Sequence, residues 1–331
     1  MKSNDGINIV ILSAGKGTRM KSDLPKVLHK IGGLTLLQHV INSVEALNCN
    51  KNIIITTSND VVDGLSGILN SDENLNYVIQ EDRLGTGHAV KCAVDCKFWK
   101  SDNAYTGVFY GDVPFIRQET IQNMFEKLVK FDIVVLGFDA KDQNQMYGRL
   151  FTDRELNVGQ CGKLFAIKEF RELPREKPHL CNSGIMVGKT KIFETLLPKI
   201  QNNNKAKEYY LTDIVELANQ NKYKVGTLIC DEFEVIGINS RAELHNAERE
   251  YQKKKQEYFM LSGSTLLNAE SVYFSYDTKI GTDVIIEPNV FFGLGVEIGN
   301  NCRIGAGSYL ENIKIDNNTN IEPNSVIKGL K

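Results

Sequence analysis

The stretch Ile7-Asn8-Ile9-Val10-Ile11-Leu12-Ser13-Ala14-Gly15-Lys16-Gly17-Thr18-Arg19-Met20 joins a mainly apolar run to a glycine-containing loop. The run Ile7–Leu12 predicts a buried strand. Gly15 and Gly17 let the backbone that leaves this strand come close to a ligand, with unpaired N–H groups turned outward. The stretch therefore predicts a ligand-binding turn at the end of a strand.

Two cations follow the loop, Arg19 and Lys26. Arginine offers a planar fork that matches phosphate oxygens, and lysine offers a compact point charge. Pro25 restricts the backbone directly before Lys26, so this lysine is held in place. We interpret the loop and its cations as a polyphosphate site. For the two glycines taken alone, an ordinary loop between a strand and a helix remains an alternative.

Spacing excludes two better-known phosphate motifs. A Walker-type loop needs a longer spacer between its glycines and a Lys-Ser/Thr pair after them, whereas only Lys16 separates Gly15 from Gly17. The dinucleotide fingerprint needs a third glycine at the position of Met20.

Composition narrows the class of protein. At 331 residues the chain exceeds a typical single domain, so two domains are expected. The net charge of −2 argues against a general nucleic-acid-binding protein. No apolar stretch is long enough to cross a bilayer, and the polar N-terminus does not resemble a secretory leader. The seven cysteines are scattered without a Cys-x-x-Cys pair, which is typical of reduced thiols in a cytoplasmic protein.

Apolar runs alternate with amphipathic stretches from Ile7 to about Phe138. This alternation predicts an α/β domain with an open, mainly parallel sheet and helices on both faces. The predicted helices cover residues 36–47 and 88–99. The predicted strands are Ile7–Leu12, Asn52–Thr57, Tyr77–Gln80, Gly107–Tyr110 and Ile133–Phe138.

Polar segments follow three of these strands, where ligands bind in sheets of this kind. They are the glycine loop, Gln80 with Gly85-Thr86-Gly87, and Tyr110-Gly111-Asp112. Thr86 also fits the cap of a helix N-terminus, and both interpretations are compatible because helix starts attract anions. Asp112 has an alternative as an ordinary turn or cap residue.

Residues 147–239 are interpreted as the second half of the same domain, carrying the site for another substrate. The predicted helices lie near Lys191–Ile200 and Leu211–Asn221, and the predicted strands are Leu164–Phe170, Gly184–Val187, Val225–Ile229 and Glu234–Ile238. Next, Ser240 and Glu243 form a capping-box pattern. It opens a charged helical connector that reaches about Phe259.

The C-terminal part repeats every six residues. Bulky apolar side chains recur at Ile280, Ile286, Phe292, Ile298, Ile304 and Leu310, and compact ones stand two places earlier, from Thr278 to Ser308. After a slip of one residue, Ile315, Ile321 and Ile327 continue the period. This period is too short for a helical repeat and predicts a β-helix of hexapeptides.

With these residues in view, the chain resembles the bifunctional GlmU family, the N-acetylglucosamine-1-phosphate uridyltransferase/glucosamine-1-phosphate acetyltransferases. The resemblance includes the glycine loop, the Gly-Thr-Gly-His segment, the hexapeptides and the motif Glu208-Tyr209-Tyr210-Leu211-Thr212-Asp213. It implies a Rossmann-like nucleotidyltransferase (pyrophosphorylase) domain over residues 1–239, a helical linker over 240–262 and a partial left-handed parallel β-helix over 263–331.

The resemblance also implies roles for particular residues. Arg19, Lys26 and Asp112 are expected to be catalytic, the first two through the phosphates, and Asp112 and Asn239 are expected to bind Mg²⁺. The residues expected at the nucleotide are Leu12, Ser13, Ala14, Gly15, Gln80, Gly85, Thr86, Tyr110 and Gly111. The residues expected at the sugar are Gly148, Glu169, Asn182, Tyr210, Thr212 and Asn239.

The activity implied is transfer of UMP from UTP to N-acetylglucosamine-1-phosphate, giving UDP-N-acetylglucosamine and pyrophosphate for cell-envelope precursors. The family's acetyl-transfer positions lie on later coils, so acetyl transfer is expected to be absent from this chain. A homotrimer through the β-helix is expected, with no nucleic-acid or membrane partner. The alternatives are a nucleotidyltransferase for another sugar 1-phosphate and a non-catalytic regulatory subunit of the same fold.

Three positions are less regular. Ser13 stands where the family usually has alanine, which we expect to matter little. The segment after Glu169 is slightly short, so Lys168 or Glu172 remains an alternative partner for the sugar. His88 is expected to be structural, because metal-assisted transfer gives it no proton to move.

Overall fold

The computed structural model describes residues 6–62, 64, 75–140, 147–170, 173 and 178–329. The chain divides into two compact units. The first comprises Met1–Leu28 and Leu36–Gly237, and the second comprises His29–Thr35 and Ile238–Lys331.

The elements up to residue 230 build the first unit, apart from the two short strands Lys30–Ile31 and Leu34–Thr35, which pair as a hairpin in the second. The helices are α1 (Leu36–Glu45), α2 (Thr86–Val94), α3 (Gln118–Glu126), α4 (Thr190–Leu196) and α5 (Asp213–Gln220). The strands are β1 (Ile7–Leu12), β2 (Lys30–Ile31), β3 (Leu34–Thr35), β4 (Lys51–Thr57), β5 (Leu75–Ile79), β6 (Tyr105–Tyr110), β7 (Ile133–Asp139), β8 (Arg149–Thr152), β9 (Cys161–Lys168), β10 (Leu180–Lys189) and β11 (Val225–Cys230).

Nine of these strands form one sheet in the order β5-β4-β1-β6-β10-β7-β11-β9-β8. Neighbouring pairs among β5, β4, β1 and β6 are parallel, as are β7 and β11. Strand β10 lies antiparallel between β6 and β7. Beyond β11, strands β9 and β8 are added by antiparallel pairing. The sheet is therefore mixed, and the predicted parallel arrangement is found in the part formed by β5, β4, β1 and β6.

Both faces of the sheet are covered. In β1, Ile9 and Ile11 belong to the apolar cluster that contains residues of α1 and α3. Val10 and Leu12 belong to the other cluster, which contains residues of α2, α4 and α5. Because side chains alternate along a strand, the helices lie on opposite faces, and the predicted α/β architecture is confirmed.

One predicted strand is wrong. The segment Glu234–Ile238 is not extended throughout, because Glu232–Val235 forms a 3₁₀ helix. Its first turn is capped by Asp231, whose carboxylate accepts from the Phe233 amide at 3.0 Å. Glu234 is buried in an ion pair with Arg117. Val235 and Ile238 are buried as well, so the apolar residues of a buried turn gave the strand-like pattern.

The second unit begins with the predicted connector, helix α6 (Arg241–Leu261). Its capping box is confirmed. The Glu243 amide donates to Ser240 Oγ at 3.2 Å, and the Glu243 carboxylate accepts from the Ser240 amide at 3.0 Å. Two N–H groups at the helix start are thereby satisfied.

The hexapeptides form a parallel β-helix of three narrow sheets. Their strand orders are β12-β15-β18-β21, β13-β16-β19-β22 and β14-β17-β20. The strands are β12 (Thr265–Leu266), β13 (Tyr273–Phe274), β14 (Lys279–Ile280), β15 (Ile285–Ile286), β16 (Phe291–Phe292), β17 (Val296–Ile298), β18 (Arg303–Ile304), β19 (Tyr309–Glu311), β20 (Ile313–Ile315), β21 (Asn320–Ile321) and β22 (Val326–Lys328).

The register of this β-helix follows the predicted period. Ile286 pairs with Ile304, and both side chains are fully buried, as are Phe292 and Leu310. At the slip, Val296 pairs with Ile313, and the chain turns through Asn312 at φ +50°. An asparagine tolerates this left-handed turn conformation, so the coil continues after losing one residue.

Candidate active site

The glycine loop forms one wall of a cavity of about 580 Å³ in the first unit, which we call the loop cavity. The loop, the ends of β1 and β6, and the start of α2 supply its walls. The lining residues are Leu12, Ser13, Ala14, Gly15, Lys16, Lys26, Val27, Gln80, Arg83, Gly85, Thr86, Ala89, Tyr110, Asp112 and Glu208. The polar segments predicted at three strand ends are thus brought together.

Gly17 explains how the loop holds Lys26. Its φ of +58° is a left-handed conformation, and a Cβ added there would lie 2.8 Å from Cβ of Lys26. Only glycine both adopts this left-handed conformation without strain and leaves room for the lysine side chain. The Lys26 ammonium forms an ion pair with Asp112, and their side chains are 13% and 15% exposed. The lysine predicted at the phosphates and the carboxylate predicted at Mg²⁺ therefore lie together in a partly buried position.

The end of β6 is tied to the glycine loop. The Gly111 amide donates to the carbonyl of Leu12 at 2.9 Å. Tyr110 is partly buried, and burial together with the Asp112 charge raises the pKa of its phenol. Tyr110 therefore remains a neutral hydrogen-bonding group.

Ser13, which replaces the family's usual alanine, uses its hydroxyl within the fold. Ser13 Oγ donates to the carbonyl of Thr56 on the neighbouring strand at 3.2 Å, and the residue is buried. The hydroxyl is therefore satisfied by β4.

A second cavity of about 460 Å³ adjoins the first and shares Thr86, Tyr110 and Glu208 with it. We call it the adjoining cavity. Its other lining residues are Tyr147, Gly148, Glu169, Phe170, Asn182, Ser183, Gly184, Asn204, Lys205, Ala206, Tyr210 and Thr212. Five of the residues expected at the sugar are among them, although they come from four separate segments of the chain.

Short hydrogen-bonded links position these polar groups. Thr212 Oγ1 donates to the Glu169 carboxylate at 3.3 Å. The Asn182 amide donates to the Gly148 carbonyl at 2.9 Å, and Asn182 Oδ1 accepts from the Gly184 amide at 3.0 Å. The backbone amide and the side-chain Oδ1 of Asn182 are thus engaged. The side-chain nitrogen, Nδ2, is the group of this residue that can donate to a ligand.

The alternatives to Glu169 lie elsewhere. Lys168 lines a third cavity of about 770 Å³, near β8 and β9, and its Nζ is 4.0 Å from Glu216. Glu172 lies outside the described residues. The third cavity is the largest of the three, but it holds none of the residues expected at the nucleotide or the sugar.

Three other predicted residues line neither of the two joined cavities. Arg19 is exposed on the 3₁₀ turn Thr18–Met20. Gly111 is buried behind the wall of the loop cavity. Asn239 belongs to the second unit, where its amide donates to Glu243 at 2.6 Å.

Sequence reasoning missed several lining residues. Glu208 faces both cavities, and its place beside Tyr209-Tyr210 in a recognised motif was the available signal. Arg83 and Lys16 line the loop cavity. The one sequence signal for Arg83 was its position between two segments predicted at the site, Gln80 and Gly85-Thr86-Gly87.

Metal clusters and membrane-spanning helices are both absent from the part of the chain that the structure describes. Among those residues, no group of three or more His, Cys, Asp and Glu side chains is arranged to hold a metal ion. None of their helices is both long and apolar enough to cross a bilayer.

Comparison with known proteins gives the same two-part organisation. The MobA-like NTP transferase domain matches residues 9–171, and the bacterial transferase hexapeptide (six repeats) matches residues 277–312 and 295–329. The nucleotidyltransferase domain and the left-handed hexapeptide β-helix are thereby confirmed.

The bifunctional protein GlmU of Sphingopyxis alaskensis is 39% identical over 329 residues, which cover 97% of this chain and 69% of that protein. The chain belongs to the GlmU family. Its GlmU relative from Wolbachia pipientis wMel is 40% identical over 321 residues, covering 97% of this chain and 71% of the relative. With its nucleotidyltransferase domain, this GlmU family member is a sugar-1-phosphate uridyltransferase.

Solved structures share the fold of this GlmU family member at low sequence identity. UTP-bound UGPase from Acinetobacter baumannii is 18% identical with a TM-score of 0.57, covering 77% of this chain and 97% of that one. UDP-glucose pyrophosphorylase complexed with UDP-glucose is 18% identical with a TM-score of 0.58, covering 75% and 98%.

Proposed function

We propose that this enzyme transfers UMP from UTP to N-acetylglucosamine-1-phosphate, with Mg²⁺, and supplies UDP-N-acetylglucosamine for cell-envelope precursors. The observation that carries the proposal is the pair of joined cavities. One contains the glycine loop with Lys26 and Asp112, and the other contains Glu169, Asn182 and Thr212. Two substrates bound side by side in them would meet at Thr86, Tyr110 and Glu208.

The reaction needs no protein nucleophile. An oxygen of the sugar phosphate forms a bond to the α-phosphorus of UTP, the bond to the bridging oxygen breaks, and pyrophosphate leaves with the electron pair. The protein must hold two anions in line and offset the charge on the leaving group. Lys26 is fixed where it would do this, and Arg19 would have to move from its exposed position to join it.

Asp112 fits a magnesium ligand. Its side chain is 15% exposed and already pairs with a cation, Lys26. Magnesium prefers oxygen ligands and usually takes only one or two from the protein. When bound, Mg²⁺ would offset negative charge on the phosphate oxygens. Asn239 remains a predicted second ligand, on the strength of the family resemblance.

The adjoining cavity suits an acetamido sugar. Glu169 offers carboxylate oxygens to sugar hydroxyls, and the amide nitrogen of Asn182 offers a donor. Gly148 has no side chain, and a Cβ there would lie 3.3 Å from the carbonyl of Lys168. The same Cβ would lie 3.7 Å from Oε2 of Glu169, so glycine at this position leaves the carboxylate uncrowded.

Pyrophosphate release measures this function directly. The assay compares N-acetylglucosamine-1-phosphate with glucose-1-phosphate as acceptor, each with UTP, with and without EDTA. We expect the acetamido sugar to dominate and EDTA to abolish turnover until Mg²⁺ is restored. Preference for glucose-1-phosphate would assign the chain to another sugar phosphate, and full activity in EDTA would remove Mg²⁺ from the proposal.

We further propose a homotrimer formed through the β-helix. One outer face carries a column of aromatic rings, with centroids of Tyr273 and Phe291 4.4 Å apart and those of Phe291 and Tyr309 5.2 Å apart. Val326 continues this column and is 70% exposed. Sedimentation equilibrium of the wild type and of Val326→Lys tests the proposal. A trimeric mass lowered by the substitution supports it, and a monomeric wild type contradicts it.

A further inference from the structure

Gln80 is held in one orientation at the wall of the loop cavity. The residue is 4% exposed, and its Nε2 lies 3.2 Å from the carbonyl oxygen of Gly85 and 3.1 Å from Nδ1 of His88. A carbonyl oxygen only accepts hydrogen bonds, so the atom facing Gly85 must be the amide nitrogen rather than its oxygen. The carbonyl Oε1 of Gln80 is then the group left to face a ligand.

The Gly85 carbonyl is itself fixed by backbone bonds on both sides. Tyr209 donates its amide to the carbonyl of Leu84 at 2.7 Å, and its own carbonyl accepts from the Gly87 amide at 2.8 Å. Gly85 has φ +104°, and a Cβ there would lie 2.7 Å from the Tyr209 carbonyl. The acceptor that orients Gln80 is therefore part of a rigid turn.

His88 supplies the second acceptor. Since both hydrogens of the Gln80 amide nitrogen are then used, Nδ1 of His88 must carry no proton. Its Nε2 carries the proton and lies 3.9 Å from Sγ of Cys92, a weak acceptor. Only this neutral tautomer satisfies Gln80, Gly85 and His88 together. Removing the imidazole acceptor leaves the Gln80 amide with the Gly85 carbonyl as one acceptor in place of two, so its present orientation is held by one hydrogen bond fewer.

From this geometry we propose that His88 is a positioning residue that locks the Gln80 carbonyl toward the cavity and thereby selects uracil over cytosine. The proposal rests on uridine binding in the loop cavity. Uracil presents an N3–H donor, which a fixed carbonyl oxygen accepts. Cytosine, of nearly the same size, presents an acceptor at N3, so two lone pairs would face each other. A site with a fixed acceptor rejects such an isostere.

The test compares UTP with CTP in four proteins: wild type, His88→Asn, His88→Leu and Cys92→Ala. Asparagine places its Oδ1 near the position of the imidazole Nδ1 and keeps an acceptor, whereas leucine removes it. We expect His88→Leu to lose about tenfold in selectivity, the scale of one lost hydrogen bond, through a higher KM for UTP at little changed kcat. His88→Asn and Cys92→Ala should keep the wild-type ratio, and thermal unfolding verifies that each variant is folded.

Each outcome decides the matter. If His88→Leu is as selective as the wild type, or if His88→Asn loses as much selectivity as His88→Leu, the positioning role is overturned while the uridyl transfer stands. If the wild type uses UTP and CTP equally, both the base assignment and the role of His88 are overturned. Selectivity lost in His88→Leu and retained in His88→Asn supports the inference.

Discussion

Replacing Lys26 with methionine tests the central feature of the loop cavity. Methionine keeps most of the apolar length of the side chain and removes only the ammonium group. The lysine side chain is 13% exposed, pairs with Asp112, and is held by the close approach of Gly17. The substitution therefore removes charge at a position that the loop is built to fix.

Two effects of this substitution differ in size. Loss of a fixed charge-stabilising donor costs about 3–4 kcal/mol in the transition state, or about 10²–10³ in kcat. Loss of its ion-pair partner leaves the shielded Asp112 carboxylate uncompensated, which costs about 1–3 kcal/mol of unfolding free energy. The catalytic effect is therefore expected to exceed the structural one.

The double variant Lys26→Met/Asp112→Asn separates the two effects, because it removes both charges. We expect it to regain most of the lost unfolding free energy in urea titrations, while kcat for pyrophosphate release stays low. Lys199→Met, on an exposed 3₁₀ turn, serves as a control and should match the wild type. A folded Lys26→Met that keeps more than about a tenth of wild-type kcat would refute the role of this lysine.

Three further substitutions test other parts of the chain. Gly17→Ala should lower kcat at least about tenfold by displacing Lys26, at a stability cost of about 1–2 kcal/mol; unchanged kinetics would contradict this. Burial favours the neutral form of Asp132, but its hydrogen bonds from Lys189 and the Lys224 amide prevail and lower its pKa below 3.8. Since the ionised form is the one stabilised, Asp132→Asn should lower the unfolding free energy by about 1 kcal/mol at pH 7, and the difference from wild type should vanish as pH falls through that lowered pKa; a difference that persists at strongly acidic pH would argue against the ion pair. Ile304→Ala, in the fully buried column of the β-helix, should cost about 2–5 kcal/mol, and calorimetry that shows no loss would contradict its burial.

Features encoded by neighbouring residues were predictable from the sequence. The strand Ile7–Leu12 is found with its predicted bounds, because a mainly apolar run buried on both faces needs no distant partner to be recognised. The hexapeptide β-helix is predictable for the same reason. Each inward side chain, such as Ile286 or Ile304, stacks on the equivalent residue of the next coil, so one short period specifies the whole fold.

The position of β10 was not predictable from local pattern. The sequence predicts a strand at Gly184–Val187, and the structure extends it to Leu180–Lys189. Its insertion between β6 and β7, antiparallel to both, depends on pairings with residues far away in the chain. The hairpin β2–β3 is similar, since the Gly32 amide donates to Glu248 at 3.0 Å across more than two hundred residues. Strands β2 and β3 have two residues each, which is too short for a periodic sequence pattern.

The two cavities of the site differ in the same way. The loop cavity was predictable from local sequence pattern, whereas the adjoining cavity was not, so the sugar assignments need experiment most. The residues of the loop cavity follow β1, β5 and β6, which belong to the parallel part of the sheet. The rule that ligands bind beyond carboxyl strand ends therefore places Gly15, Gln80 and Asp112 together on the basis of sequence pattern alone. No such rule applies to the adjoining cavity, where Glu169 follows β9, an antiparallel strand, and meets Thr212 across a 3.3 Å hydrogen bond. Its contacts depend on how irregular segments fold back over the sheet. Substitutions at Glu169 and Thr212 are therefore more informative about the sugar than further substitutions in the glycine loop.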